Sequence, residues 1–207
     1  MIDLSTAKGM TFSTSMVRAL IDGTKTQTRM VIMPQPKTCD DFTICPDGGH
    51  GICGCDRGDL CHLALPKSPY QPGGIIYVRE TWAPAPDIEG DGPRYLYKAD
   101  TTVGGAILLQ DGDAKIAYIP SEWRPSIFMP KAAARIILRI TDVKAERLQD
   151  IRIRDSISEG VNTKSLHVYA FSLLWDSIHA KRKGGIYAWK RNPWVFAYGL
   201  ELLEVRK

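Results

Sequence analysis

The residues of this 207-residue chain that are best suited to chemistry lie in one stretch, Gly23-Thr24-Lys25-Thr26-Gln27-Thr28-Arg29. A threonine hydroxyl is a nucleophile only when a base removes its proton. A lysine is a base only when burial or a nearby cation lowers its pKa from about 10.4. The stretch therefore suggests Lys25 as a base and Thr28 as a nucleophile. A solvated, threonine-rich turn has the same composition, and the spacing alone does not decide between the two.

A third candidate, Glu80, lies near the end of the strongest strand signal, residues 75–82. A carboxylate in a central strand costs free energy unless it pairs with a cation or faces a cavity. Lys25 or Arg29 could supply that cation if the polar stretch folds over the end of the strand. Together with Lys25 and Thr28, Glu80 would then form a hydrolytic trio in which it protonates the leaving group. The alternative is a buried, structural ion pair between Lys25 and Glu80.

A short helix and a glycine position the polar stretch. Apolar residues from Met16 to Ile21 follow a helical period, and Ser13 or Thr14 can cap the N-terminus of a helix over Ser13–Asp22. Gly23 then stands where helices commonly end in a left-handed residue. We therefore expect the polar cluster to leave a rigid element as a loop.

The remaining elements alternate between strands and helices. Hydrophobic patterns predict strands at 10–12, 31–33, 75–82, 94–99, 134–148 and 194–205, and helices at 150–160 and 165–183. Residues 123–130 read as an ordered loop. The pattern predicts an α+β fold, a small, partly closed, mixed β-barrel with flanking helices. We expect a single domain over 1–207, with a Cys-rich loop insertion at about 37–72 and a Gly-rich insertion at about 100–120.

All the cysteines of the chain fall within the first insertion. Thiolates and imidazoles are the preferred ligands of zinc, so a structural zinc site is one interpretation. Free thiols in a surface insertion are the other, and a disulfide is disfavoured in a reducing compartment. The candidate ligands are Cys39, Cys45, Cys53, Cys55, Cys61 and His62.

Aromatic and basic residues alternate towards the C-terminus. Tyr187, Trp189, Trp194, Phe196 and Tyr198 could stack on bases, while Lys181 to Lys183, Lys190 and Arg191 could neutralise phosphates. The alternative interpretation is that Trp194, Phe196 and Tyr198 share the core-facing side of one strand.

The composition is that of an ordinary globular protein with a mild preference for anionic partners. The net charge is +4 and the sequence pI is about 8.8. No apolar run approaches the ~18 residues of a membrane span, and a signal-peptide pattern is missing, so we expect a cytoplasmic protein that does not bind membranes.

Two motifs together resemble a known family. The polar stretch with Gly23, Lys25, Thr28 and Arg29, followed by Val78-Arg79-Glu80-Thr81-Trp82, is similar to the ASCH superfamily, a relative of the PUA RNA-binding domains. The resemblance extends from the helix before Gly23 to the last strand. Trp123-Arg124-Pro125-Ser126-Ile127-Phe128-Met129-Pro130 resembles phage and prophage members.

The resemblance implies a cleft suited to a base or nucleotide. In one branch, an amidohydrolase that needs no cofactor removes the acetyl group of N4-acetylcytidine; its roles would fall on Lys25 as base, Thr28 as nucleophile and Glu80 as proton donor. In another branch, RNA is cleaved with a divalent metal. A non-catalytic phage accessory protein is the third hypothesis. The partner would be a nucleoside or RNA, and the substrate-binding candidates are Gly23, Thr26, Arg29, Arg79, Trp82, Trp123 and Arg124.

Overall fold

The structure is a computed structural model, and it describes residues 2–35, 68–86, 95–102, 104–111, 114–161, 163 and 165–206. The side chains of residues 110, 111, 114 and 115 are outside that description. The Cys-rich segment, with all six proposed zinc ligands from Cys39 to His62, lies outside the described residues, so the zinc prediction stays a prediction.

The described residues form an α+β fold of nine strands and three α-helices. The strands are β1 (Lys8–Thr11), β2 (Gln27–Val31), β3 (Ile75–Arg79), β4 (Trp82–Pro84), β5 (Tyr95–Tyr97), β6 (Ile107–Asp111), β7 (Ala114–Tyr118), β8 (Ile136–Arg147) and β9 (Trp194–Val205). The helices are α1 (Thr14–Ile21), α2 (Ile153–Ser158) and α3 (His167–His179). Short 3₁₀ turns lie at Lys98–Asp100, Ser126–Phe128, Lys131–Ala133, Leu148–Asp150, Arg182–Gly185 and Trp189–Arg191.

Five of the strands form one mixed sheet in the order β1-β3-β8-β9-β2. β1 runs parallel to β3, whereas β3 is antiparallel to β8 and β2 is antiparallel to β9. Strands β4 and β5 form a separate two-stranded sheet, as do β6 and β7. In the part of the chain that the structure describes, no strand pairing closes the five-stranded sheet into a barrel.

Contacts divide the chain into two compact units. The first unit comprises Met1–Thr24, Gly74–Arg139 and Glu201–Lys207, and the second comprises Lys25–Gly73 and Ile140–Leu200. The long strands β8 and β9 therefore pass from one unit into the other along the chain. The expectation of one domain over 1–207 stays a prediction.

The entry to the polar stretch is as predicted. The Ser13 side chain accepts a hydrogen bond from the Met16 amide and caps α1, whose buried residues are Val17 and Leu20. Gly23 follows the helix with φ of +72°, in the left-handed region.

Two element predictions were wrong. Residues from Gln27 onward form strand β2 instead of a loop, because they pair with β9 in the register Thr28↔Tyr198. The predicted strand at 75–82 breaks at Glu80, so β3 and β4 belong to different sheets. The Gly-rich insertion predicted at about 100–120 contains the hairpin β6–β7, and its being an insertion stays a prediction.

Each unit has its own apolar core. The first unit packs Tyr77, Trp82, Met129, Ala133, Ala134 and Ile137 together. The second unit packs Leu148, Ile151, Val161, Phe171, Trp175 and Val195. Trp194, Phe196 and Tyr198 are buried, as the core interpretation of β9 predicts, and Val195 and Ala197 between them are buried too, so both faces of this strand are covered.

Gly9 in β1 lies close to two side chains of β3. A Cβ atom at this position would lie 2.8 Å from Cζ of Tyr77 and 2.9 Å from Nε of Arg79. We expect Gly9→Ala to displace both side chains and to lower the free energy of unfolding by about 1–3 kcal/mol, a typical cost of overpacking. Urea unfolding measures the change, with Thr11→Ala at an exposed position of the same strand as the control. Equal stabilities of the two variants would contradict this packing.

Candidate functional site

Lys25 lies at the centre of a buried hydrogen-bond network in the second unit. Its Nζ donates to the backbone oxygens of Gln27, at 2.8 Å, and Glu159, at 2.9 Å. It also donates to Oε2 of Glu159, at 2.8 Å. Three acceptors surround the nitrogen, which matches the three N–H groups of an ammonium.

Arg29 extends the same network. Its guanidinium contacts Oε1 of Glu146 at 2.7 Å and Oε1 of Glu159 at 3.1 Å, and it also donates to Oε1 of Gln27, at 2.8 Å. Lys144 at the surface binds the other oxygen of Glu146, at 3.0 Å. We refer to Lys25, Arg29, Glu146 and Glu159 as the buried network.

The buried network balances its own charge. Two cations face two carboxylates, with Asp155 at 3.9 Å from Arg29 and Lys144 paired with Glu146 at the rim. A buried ion pair is tolerated when hydrogen bonds satisfy both partners. A lysine that donates all its N–H groups has no lone pair with which to accept a proton, so this geometry suits a structural cation better than a base.

Thr28 points away from the buried network. Successive residues of a strand face opposite sides, and both Gln27 and Arg29 of β2 contribute side chains to the network. The buried Thr28 therefore lies on the other face of β2. Gly23 and Thr26, the other candidates in this stretch, are exposed.

Glu80 has its own cation in the first unit. Arg135 binds both carboxylate oxygens, at 3.0 and 3.1 Å, and continues to Asp100 at 2.6 and 2.8 Å. The guanidinium carbon also lies 3.9 Å from the ring centre of Tyr97. Lys25 and Arg29 had been expected to balance Glu80, and Arg135 does so instead.

Burial dominates the protonation of Glu80. Desolvation raises the pKa of its carboxyl from the ordinary 4.5, while the hydrogen bonds and charge of Arg135 oppose this rise. Desolvation likewise raises the pKa of Tyr97 to about 12. A raised pKa increases the fraction of the carboxyl that is protonated, and the protonated form is the one that can donate a proton.

The hydrolytic trio is divided between the two units. Lys25 and Thr28 belong to the second unit and Glu80 to the first. Lys25 pairs with Glu159 and Glu80 pairs with Arg135. The convergence of the three residues stays a prediction.

Within the first unit, four of the predicted substrate-binding residues lie close together: Arg79, Trp82, Trp123 and Arg124. Trp82 and Arg124 join their backbones by two hydrogen bonds, of 3.2 and 2.7 Å, and the Arg124 guanidinium lies 5.1 Å from the Trp82 ring centre. Trp123 is half-buried and packs on the small core of β4–β7. Residues 123–131 therefore run beside the segment from Tyr77 to Trp82.

Further contacts fix this alignment. Arg79 donates to the backbone oxygen of Ile127, at 3.4 Å, and the Glu80 amide donates to Sδ of Met129, at 3.1 Å. Lys131 lies 5.7 Å from the ring centre of Tyr77, and Arg79 lies at the same distance from that ring. We call Tyr77, Arg79, Trp82, Arg124 and Lys131 the cation–aromatic site.

Two buried donors of this site have no acceptor in the part of the chain that the structure describes. They are Nε of Arg79 and Nε1 of Trp82. Such donors cost about 1–3 kcal/mol each when they stay unsatisfied. Both had been predicted from the sequence as substrate-binding residues.

The site is also electrostatically unbalanced. Among the residues that the structure describes, Arg79, Arg124 and Lys131 form no ion pair with a carboxylate, whereas Lys25 and Arg29 of the buried network do. The cation–aromatic site can therefore bind an anion, whereas the cations of the buried network are already neutralised by carboxylates.

Sequence reasoning missed the partners of the predicted residues. Glu146, Glu159, Arg135 and Asp100 are ordinary charged residues in the sequence, and each is more than 30 positions from the residue it binds. Tyr77 was within the predicted strand but was not assigned to a site.

Two further searches of the described residues are negative. No cluster of three or more His, Cys, Asp or Glu residues is arranged to hold a metal ion. No helix in the same ranges is long and apolar enough to cross a membrane.

Comparisons with known proteins return no match to this chain among family models, curated proteins or solved structures.

The buried network predicts a large cost for removing one charge. Glu159→Gln leaves Lys25 and Arg29 without their shared carboxylate, so we expect the free energy of unfolding to fall by about 3–5 kcal/mol. The control is Glu201→Gln, which removes an exposed pair with Arg139 and should cost less than about 1 kcal/mol. Urea unfolding measures both, and a small loss for Glu159→Gln would show that the network is not structural.

Proposed function

We propose that this chain binds nucleotides or RNA through the cation–aromatic site. The observation that carries the proposal is the pair of buried donors, Arg79 Nε and Trp82 Nε1, which find no acceptor among the described residues and lie beside cations that form no ion pair there. Native proteins rarely leave such groups unpaired, and an acceptor on a ligand is a common explanation.

The chemistry of the site favours a nucleotide over a simple anion. Guanidinium and ammonium groups bind phosphate oxygens, and an indole N–H needs an acceptor such as a base carbonyl or a phosphate oxygen. Ile127 and Phe128, at 63% and 71% exposure, place apolar surface next to the Arg79 contact, where a base could stack. A free phosphate would leave that surface unused.

We also propose that the fold is PUA-like and that the chain is an ASCH protein of phage or prophage type. The sequence motifs support this classification, and the described residues share its mixed α+β character. The binding proposal does not depend on it, because it follows from the contacts of the first unit alone.

Binding should depend on Arg124, an exposed cation of the site. Arg124→Gln removes the charge above Trp82 without touching a buried group, so we expect the affinity for cytidine 5′-monophosphate to fall about tenfold, equivalent to about 1.4 kcal/mol. The affinity for uncharged cytidine should change little. Calorimetric titration measures both ligands.

The matched control is Arg139→Gln, which removes an exposed cation of the same unit that is already paired with Glu201. It should leave the nucleotide affinity unchanged. Equal losses of nucleotide affinity in the two variants would mean that affinity depends only on net charge. The nucleotide would then not bind at the cation–aromatic site.

A second candidate function is the amidohydrolase reaction on an N4-acetylcytidine-like amide. The raised pKa of the buried Glu80 carboxyl favours it, since a proton donor to a leaving amine needs that property. The resemblance gives the attack on the acetyl carbonyl to Thr28, the uptake of the hydroxyl proton to Lys25 and the protonation of the departing amine to Glu80, and it would require Thr28 to turn toward Lys25, from which it faces away. Water then releases acetate from the threonyl ester. Lys25 Nζ already donates to three acceptors, which leaves it poorly placed to reach the Thr28 hydroxyl, so this function ranks second.

Thr28→Val tests the reaction without disturbing the buried network. The substitution keeps the shape and the β-branching of the side chain and removes only the hydroxyl. If the reaction occurs, chromatography should detect cytidine from N4-acetylcytidine with the unsubstituted protein and none above background with the variant. Equal release by both proteins would exclude Thr28 as the nucleophile, and no release by either would exclude this substrate. RNA cleavage with a divalent metal and a non-catalytic accessory role stay predictions that no described contact favours.

A further inference from the structure

The turn that follows α3 in the second unit carries a second concentration of positive charge. Residues 180–192, which we call the basic turn, contain five exposed cations: Lys181, Arg182, Lys183, Lys190 and Arg191. Within the described ranges none of the five forms an ion pair, in contrast to the paired surface cations Arg139, Lys144 and Arg206.

The basic turn is held in a defined conformation by contacts to α3. Nε1 of Trp175 donates to the backbone oxygen of Tyr187, at 2.7 Å, in a buried hydrogen bond. The Trp189 amide donates to Oδ1 of Asp176, at 2.7 Å. Asp176 therefore serves as an anchor of the backbone.

A second set of contacts anchors the far end of the turn. The side-chain amide of Gln149 donates to the backbone oxygen of Trp189, at 2.8 Å. The backbone N–H of Gln149 donates to Oδ1 of Asn192, also at 2.8 Å. These contacts hold the backbone of residues 187–192, on both sides of Lys190 and Arg191. A pre-organised cationic surface loses less conformational entropy on binding than a flexible one.

Arg182 is oriented by a neutral side chain instead of a carboxylate. Its Nη1 lies 3.1 Å from Nδ1 of His179, whose ring stacks on Trp175 at 4.2 Å between centres. Burial, then the charge of Arg182, lowers the pKa of His179 to about 4, against a smaller opposing effect of Asp176. His179 is therefore a neutral acceptor at pH 7, and it orients the guanidinium without neutralising it.

The backbone of Lys183 has an unusual conformation. Its φ of 44° lies in the left-handed region, which a residue other than glycine adopts at some cost, and Gly184 follows at +69°. The backbone reverses at this point with a lysine where a glycine would be less strained.

We infer that the basic turn binds the phosphodiester backbone of single-stranded RNA. The inference rests on the proposed function for the choice of a phosphate-bearing ligand, and it narrows that ligand from a mononucleotide to a polymer. Five unneutralised cations within eleven residues suit a run of successive phosphates, whereas a mononucleotide offers only one phosphate group. An anionic membrane surface is the competing partner.

The test compares two triple variants with the same loss of net charge. One is Lys181→Gln, Arg182→Gln, Lys183→Gln in the basic turn. The other is Arg139→Gln, Lys144→Gln, Arg206→Gln, which removes three cations that are already paired. Fluorescence anisotropy with a labelled RNA of about 12 nucleotides reports polymer binding between about 50 and 200 mM salt. A double variant, Lys190→Gln with Arg191→Gln, leaves Arg182 and its His179 contact intact and guards against a folding defect in the first triple.

We expect the basic-turn triple variant to lose at least tenfold in RNA affinity. Its plot of log affinity against log salt should also be shallower by about 2, since each lost phosphate contact contributes about 0.7. The double variant should show the same trend, and the paired-cation triple variant should lose less than twofold. Equal losses in both triple variants, or unchanged affinity in the basic-turn variants, would overturn the inference. Binding to phosphatidylserine vesicles that depends on the basic turn, without binding to RNA, would also overturn it.

Mononucleotide binding separates this inference from the proposed function. The basic-turn triple variant should bind cytidine 5′-monophosphate as the unsubstituted protein does. If the nucleotide fails to bind any form while RNA binding still depends on the basic turn, the cation–aromatic site is refuted and the inference stands.

Discussion

Every buried charge and every buried hydrogen-bond donor needs a partner, and the structure of this protein depends on how that need is met. In the second unit, Lys25 and Arg29 meet that need internally through Glu146 and Glu159. The network ties the start of β2 to the end of α2, because the Thr26 amide also donates to the backbone oxygen of Ser158, at 2.8 Å. Removing one partner would leave a buried charge uncompensated, so these residues are held in place by their mutual dependence. In the first unit, Arg79 Nε and Trp82 Nε1 are buried donors for which the described part of the chain supplies no acceptor.

The polar stretch from Gly23 to Arg29 has a structural role in this fold. A lysine, a threonine and an arginine close together in a sequence suggest a catalytic loop, yet here the backbone is a strand that separates neighbouring side chains onto opposite faces. Lys25 and Arg29 serve a structural network on one face, and Thr28 is buried on the other. The residues with unfilled binding capacity lie instead where 123–131 runs beside the segment from Tyr77 to Trp82.

Local patterns predicted the elements that depend on local interactions. The cap at Ser13, the left-handed Gly23 and the long strands β8 and β9 follow from nearby residues and clear periodicity. The strand β2 could not be predicted, because polar residues have little strand preference and the pairing with β9 joins positions far apart in the chain. Substrate-binding candidates such as Arg79 and Trp82 came from motifs. The pairing of Glu80 with Arg135 could not be predicted, since it depends on which strands become neighbours.

If the chain binds nucleotides as proposed, the Trp82 indole N–H donates a hydrogen bond to the bound nucleotide, and nuclear magnetic resonance tests this directly. The indole N–H signals of ¹⁵N-labelled protein can be followed during addition of cytidine 5′-monophosphate, with Trp82→Phe to assign the relevant signal. We predict a saturable downfield shift of the Trp82 signal as it gains an acceptor. The Trp175 signal should stay in place, because that N–H already donates to Tyr187. A Trp82 signal that does not move at high nucleotide concentration would contradict the account.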